Sequence, residues 1–366
     1  MTTKPLLIIS NPSAAAGTHQ GPPAVMRYAA VSDYWALTKP EVNFLIAVAT
    51  FTGFYLGHAT RSERLPYLLL INTLLGTLLV AGGTGTLNQY IERRFDAQMR
   101  RTARRPLAAG RLNPSVVLWF GVALSAVGSI YLAIAVNVLA SMLSILTLLS
   151  YLFLYTPLKR KTPLCILVGA FPGAMPPLIG WAAASGKLSL EAWVLYAILF
   201  LWQFPHFMAI AWMYREDYDR AGYCVLPHGE ARDSVVCLQT ILPLLALFPV
   251  ALLPASGGQP SFLYSIGALL LSLVFFYYGA QFVLHRSSAA ARRLLLASII
   301  YLPLLLVLIV GQGPVENVGP VRRQQTAQLR DRVAAPPGPL HEEDPHTYRG
   351  TRVPVTRCTS AQRVLD

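Results

Sequence analysis

The chain has 366 residues, 54% of them hydrophobic and 13% charged, with a formal net charge of +13. Soluble domains carry roughly 25% charged residues, so this composition excludes an ordinary water-soluble enzyme. Nucleic acid is excluded as a partner as well, because the Lys and Arg residues lie in short segments between long apolar runs and form no continuous basic tract.

Residues 1–32 hold one apolar patch, at 6–9. It is too short for a secretory h-region, and the arm lacks the Arg-rich amphipathic pattern of a mitochondrial presequence. This arm reads as cytoplasmic and disordered, and a bacterial inner membrane is the expected location. Nine apolar runs follow, at about 42–58, 66–90, 115–135, 138–156, 164–184, 190–213, 235–255, 261–284 and 294–312. Each is long enough to cross a hydrocarbon layer roughly 30 Å thick as a helix. None shows the alternation of a membrane barrel strand, and a helix satisfies its own backbone hydrogen bonds in lipid. The expected fold is an all-α polytopic membrane protein, with nine transmembrane helices at residues 33–313 around a central cavity. Residues 314–366 are Pro- and Arg-rich and read as a disordered tail.

With the N-terminus inside, nineteen of the thirty Lys and Arg fall in the N-terminal arm and the even-numbered loops, and three fall in the odd-numbered loops. The positive-inside rule therefore places the N-terminus and the even loops in the cytoplasm, and the tail in the periplasm. The four cysteines, Cys165, Cys224, Cys237 and Cys358, have no metal-ligand spacing and read as buried free thiols.

Acidic residues are sparse and gathered. Nine lie between residues 43 and 313, and seven of these fall in the loops after the second and sixth runs. The first loop begins with "LNQYIERRFDAQMRRTARRPLAAGRL" (87–112), which places Asn88, Glu92 and Asp96 at i, i+4 and i+8. If the second helix continues past the membrane edge, the three share one face and form an oxygen column roughly 12 Å tall. Hard oxygen donors suit Mg²⁺, which takes one or two carboxylates plus substrate phosphates. The neighbouring Arg93, Arg94, Arg100, Arg101, Arg104 and Arg105 suit phosphate oxygens through their planar forks. Acids and arginines together point to a metal-bridged diphosphate.

The second acidic loop, "WMYREDYDRAGYCVLP" (212–227), offers Asp217 from the opposite wall, with Glu216 or Asp219 beside it. Glu216 and Arg220 also have the spacing of an ordinary i,i+4 pair. A third loop, "YTPLKRKTP" (155–163), sets Lys159 four residues after Tyr155. Lys159 there is a point charge for a diphosphate, and Arg160 and Lys161 are membrane anchors.

These stretches resemble the UbiA superfamily of intramembrane prenyltransferases, and within it the haem-farnesylating branch. "YWALTKPEVN" (34–43), the 87–112 run, "YTPLKRKT" (155–162), "GAFPGAMPPLIGW" (169–181) and "LWQFPHFMAIAWMYREDYDRAGYCVLP" (201–227) carry the likeness, which covers about residues 33–312. Two departures stand out: Glu92 and Arg94 occupy first-signature positions where many relatives have Asp, and Ala221 stands four residues after Asp217 where relatives repeat an Asp.

The resemblance implies transfer of farnesyl from farnesyl diphosphate to a vinyl group of haem b with addition of water, giving haem O. It also implies Mg²⁺ as cofactor, with Asn88, Glu92, Asp96, Asp217 and Glu216 as its ligands. Arg100, Arg101, Arg105, Tyr155 and Lys159 would hold the diphosphate, and membrane lipid and a haem A synthase would be partners.

His206, in "FPHF", is then a candidate haem contact or proton-transfer group. Trp202, Phe204, Phe207, Trp212 and Tyr214 read as packing or interface residues. Gly82, Gly83 and Gly85 permit close helix approach, and Pro172, Pro176 and Pro177 break the fifth helix. Two other readings stay open: a relative acting on a quinone or chlorophyll precursor, and an anion transporter.

Overall fold

The structure, a computed structural model, describes residues 24–59, 64–227, 229, 231–253 and 261–312. Among them every regular element is helical. The order begins with α1 (Ala24–Leu37), α2 (Pro40–Ala59), α3 (Tyr67–Asp96), α4 (Pro114–Ala135) and α5 (Val138–Leu149). A π-helical turn (Ser150–Tyr155) leads into α6 (Thr156–Leu158), followed by α7 (Cys165–Gly173), α8 (Pro176–Ser185), α9 (Leu190–Met213) and α10 (Arg215–Arg220). The last three are α11 (Ala231–Leu252), α12 (Phe262–His285) and α13 (Ser288–Gly311).

Eight stretches among the described residues are long and apolar enough to cross a membrane, from Tyr67–Asp96 to Ser288–Gly311. They match eight of the nine expected runs. The first run also folds as a helix, the 20-residue α2, but it is not one of the eight, so eight of the nine expected spans are matched among the described residues. Residues 24–32, read from sequence as part of a disordered arm, belong to helix α1. The rest of the arm, the tail and Cys358 lie outside the described residues.

Small residues bring the helix axes together, as lipid-embedded packing requires. A Cβ on Gly83 would collide with Ser125 of α4, and one on Gly53 of α2 would strike the Pro177 carbonyl of α8. The outward faces carry large apolar side chains, including Phe44, Trp119, Ile134 and Phe262. Pro172, Pro176 and Pro177 accompany the break between α7 and α8, where Ala174 ends one helix and Met175 caps the next. Cys165, Cys224 and Cys237 are free, but only Cys165 is buried as well; Cys224 is half-buried and Cys237 exposed, where buried thiols were expected. An apolar groove of about 690 Å³ opens beside Tyr34, Trp119 and Phe120, and none of the acidic residues lines it.

Helix α3 positions the site through its length. Its 30 residues span roughly 45 Å at 1.5 Å per residue, against a hydrocarbon core of roughly 30 Å. That length is enough for its C-terminal turns to reach past the apolar layer without a break. There the α3–α4, α6–α7 and α9–α11 connections meet: Arg101 contacts Asp217, and the Cys224 amide donates to the Lys159 carbonyl at 2.7 Å.

Candidate active site

The oxygen column on α3 is present and buried: Asn88 is 1% exposed, Glu92 5% and Asp96 2%. Each residue faces a cation from a different segment. Lys39, at the α1–α2 junction, donates Nζ to Asn88 Oδ1 at 3.1 Å. Lys159, after α6, donates to Glu92 Oε1 at 2.9 Å. Arg105, in the α3–α4 connection, donates Nη1 to Asp96 Oδ2 at 2.7 Å. Asn88 also donates Nδ2 to Thr156 Oγ1 at 3.3 Å, which ties α3 to α6.

Asp217 approaches from the other wall. Helix α9 stops at Met213, where the sixth apolar run ends, and Asp217 lies within the separate short helix α10. It is buried, and its Oδ2 accepts from the backbone N–H of Arg101 at 3.3 Å. Its Oδ1 accepts from Arg220 at 3.1 Å, so Arg220 pairs with Asp217 and not with Glu216 as the i,i+4 spacing allowed. Asp96 and Asp217 are thus held by Arg105 and Arg101, four positions apart in one connection. The Asp96 carbonyl accepts from Thr102 Oγ1 at 2.9 Å, which folds that connection back over the end of α3.

Arg101 stacks over the rings of Tyr214 and Tyr218, at 4.7 and 5.7 Å, and donates to the Tyr218 hydroxyl at 3.2 Å. Lys159 lies 4.5 Å over the Tyr155 ring. The π-helical turn that ends at Tyr155 fits against Gly169, where a Cβ would meet the Tyr155 ring at 2.6 Å. Burial would lower the Lys159 pKa, but Glu92 outweighs it and holds the ammonium well above the ordinary lysine range. Lys39 goes the other way. Burial, then Arg105 and Lys159, bring it down to about 7, against the opposing pull of Glu92 and Asp96. Its backbone φ of +54° is left-handed, a conformation that costs energy in a non-glycine residue and marks an over-determined site.

Two expected participants stand apart. Glu216 is 75% exposed and reaches only Arg215, at 4.0 Å, so the structure does not bring it to the acidic cluster. Short α10 has room to bury one acidic face, and Asp217 occupies it. Arg100 is exposed and makes no ion pair or hydrogen bond among the described residues. His206 lies elsewhere on α9, stacked on Trp202 at 4.7 Å, with Nδ1 2.8 Å from Ser298 Oγ.

Sequence reasoning missed Lys39, Thr156, Tyr218 and Tyr223 as neighbours of this cluster. Lys39 counted only as a topological cation; its signal was a lone Lys before Pro where an apolar run begins.

The donor set bears on magnesium. Among the described residues no group of three or more His, Cys, Asp or Glu forms a self-sufficient metal site. The available donors are all hard oxygens, from two walls, and each carboxylate has a cation beside it. That set fits Mg²⁺ held by one or two carboxylates, with phosphate and water completing its shell.

The UbiA prenyltransferase family model matches residues 46–300. The chain is 48% identical over 288 residues to the protoheme IX farnesyltransferase of Solibacter usitatus (strain Ellin6076), covering 77% of this chain and 99% of that one. Among solved structures, it resembles one reported for digeranylgeranylglyceryl phosphate synthase (TM-score 0.63, 16% identity, 76% of this chain and 97% of the other). It also resembles a UbiA homolog from Archaeoglobus fulgidus bound to GPP and Mg2+ (TM-score 0.51, 13% identity, 76% and 99%). With the buried acids, their cationic partners and the helical bundle in place, these matches make the chain a member of the UbiA prenyltransferase family.

Proposed function

We propose that the protein is a Mg²⁺-dependent farnesyltransferase that joins C1 of farnesyl diphosphate to a vinyl group of haem b, with addition of water to that vinyl, giving haem O. The observation that carries the reaction type is the buried set of Glu92, Asp96 and Asp217, each already matched to Lys or Arg. The choice of substrates rests on the likeness to protoheme IX farnesyltransferases.

Asn88, Glu92, Asp96 and Asp217 are the residues that would hold the metal. Bound there, Mg²⁺ would supply Lewis-acid neutralisation of the departing diphosphate; the Archaeoglobus homolog was solved bound to GPP and Mg2+, which supports magnesium as the metal. Lys39, Arg101, Arg105 and Lys159 bind the diphosphate oxygens and draw off negative charge as the C1–O bond breaks. Counting Arg220 as well, the cluster has two more cations than carboxylates while Lys39 is protonated, which suits an incoming polyanion. Tyr155 holds Lys159 in place through its ring. The burial of the acidic cluster would keep the allylic cation from premature water. The vinyl carbon bonds to C1, water adds at the neighbouring carbon, and one proton is released. His206, its Nδ1 facing Ser298, presents Nε2 to the haem as a contact or proton carrier.

The site lies at the cytoplasmic face of a bacterial inner membrane, with the N-terminus inside. Lipid surrounds the bundle, and a haem A synthase is the proposed downstream partner. The decisive assay incubates membranes containing the protein with haem b, farnesyl diphosphate and Mg²⁺ and weighs the extracted haem. A mass increase equal to farnesyl plus water supports the reading; unmodified haem from well-expressed protein refutes it.

A further inference from the structure

Tyr223 follows the second acidic cluster and has no part in the mechanism above. Its side chain is 4% exposed and packs edge-on against Phe95 and Tyr218, at 5.8 and 6.0 Å between ring centres. Its hydroxyl is buried without a hydrogen-bond partner. That oxygen neighbours Glu92 and lies within electrostatic reach of Lys159 and Asp96, so it points into the charged cluster. Glu92 is the neighbouring carboxylate, but the two do not meet in a hydrogen bond of ordinary geometry, and Glu92 is already engaged by Lys159 through Oε1. A buried hydroxyl left unpaired is unfavourable, and such a group in a native site calls for a missing partner.

The backbone fixes this placement. Gly222 takes φ +70°, a left-handed turn glycine adopts without steric cost. The Tyr223 amide donates to the Tyr218 carbonyl at 2.9 Å, and the next amide, of Cys224, donates to the Lys159 carbonyl at 2.7 Å. Tyr223 is therefore strapped to the residue whose ammonium pairs with Glu92.

We propose that the Tyr223 hydroxyl is an unspent donor for the diphosphate of the prenyl substrate, binding it beside Lys159. This rests on the reading of the site as a prenyl-diphosphate centre. A phenol keeps its proton near neutral pH, so the hydroxyl is available as a donor. A diphosphate oxygen supplies what the hydroxyl lacks: an acceptor with full negative charge.

The test is Tyr223→Phe in the detergent-solubilised full chain, which keeps the ring packing and removes only the hydroxyl. Titration with inorganic pyrophosphate and Mg²⁺ should show about tenfold weaker binding, the loss of one hydrogen bond to a charged acceptor. The KM for farnesyl diphosphate should rise similarly, with the KM for haem b and the thermal midpoint unchanged. Pyrophosphate binding within twofold of wild type would overturn the proposal, even if turnover fell, because the hydroxyl would then serve elsewhere. A wild-type chain that binds no pyrophosphate and makes no farnesylated haem would instead refute the underlying reading of the site, and this inference with it.

Discussion

Glu92→Gln tests the cluster most directly, because it separates what the ion pair does for the fold from what it does for the reaction. Glu92 and Lys159 approach to 2.9 Å, with side chains 7% and 14% exposed. At that distance and an effective dielectric of about 20 the gross attraction is ~6 kcal/mol, and desolvation of two buried ions offsets much of it. Removing the carboxylate alone strands the Lys159 ammonium, with an expected destabilisation of about 3–5 kcal/mol. The Tyr155 ring beneath it, at 4.5 Å, recovers up to ~2 kcal/mol of that loss. Lys159→Met should be comparably damaging, because it strands Glu92. The double variant buries no charge at this position and should return to within about 1.5 kcal/mol of wild type, giving a coupling energy above ~2 kcal/mol. Thermal denaturation in detergent measures the four members of the cycle, and mass analysis of the product haem measures turnover. Turnover should stay lost in the double variant although the fold has recovered. Additive single effects would refute the pairing argument, and wild-type turnover in Glu92→Gln would remove that carboxylate from the chemistry.

Asp96→Asn and Asp217→Asn should each reduce turnover at least ~100-fold, as loss of a charge-stabilising group does, while the chain still inserts and elutes as a single species; near-full activity in either would release that residue from the metal site. Chelation with EDTA should abolish turnover and added Mg²⁺ restore it, and persistent activity in EDTA would show that no metal is needed. Lys39 predicts a pH dependence of two opposite signs. Its folded pKa is lowered to about 7 from 10.5, so between these values the unfolded chain holds the proton and the folded one does not, and stability rises with pH across that window. Pyrophosphate binding, which needs the ammonium, should weaken as pH rises through about 7. Lys39→Met should flatten both trends, and a pH profile unchanged by it would rule Lys39 out.

The helical class was legible because each apolar run falls in or near the length range of a membrane-crossing helix, whatever its partners. The α3 column was legible for a local reason: four-residue spacing places Asn88, Glu92 and Asp96 on one face whenever the helix continues, and 30 residues of α3 show that it does. Asp217 was legible as a charge in a sparse background, although its helix was not: α9 stops at Met213, and short α10 turns one acid inward while Glu216 points out. Spacing on a six-residue helix cannot decide which face is buried. Lys39 and Tyr223 were hidden for another reason. Lys39 is 49 positions from Asn88 in sequence, and Tyr223 is placed at the cluster by a glycine turn and by the bond from the next residue's amide, that of Cys224, to the Lys159 carbonyl. Contacts of that kind depend on how the connections fold over the helix ends, which no periodicity encodes.

The arrangement also constrains how the site works when empty. Glu92 and Asp96 lie in the C-terminal turns of α3, nearly without solvent contact, where an unpaired carboxylate would be strongly disfavoured. Lys159 and Arg105 make that burial tolerable. In the proposed reaction the same cations would hold the incoming diphosphate, and the same acids would hold its metal. Substrate binding is then an exchange of partners among charges already desolvated, so the site loses less hydration on binding than separate acidic and basic patches would. The exchange requires each ion pair to be breakable, which favours single-point contacts such as Lys159 to Glu92 over bidentate forks. Arg111 and Asp33 make the contrast. Arg111 grips both carboxylate oxygens of Asp33 at 2.9–3.2 Å, a fork that suits a fixed brace between α1 and the α3–α4 connection and would be poorly suited to letting go.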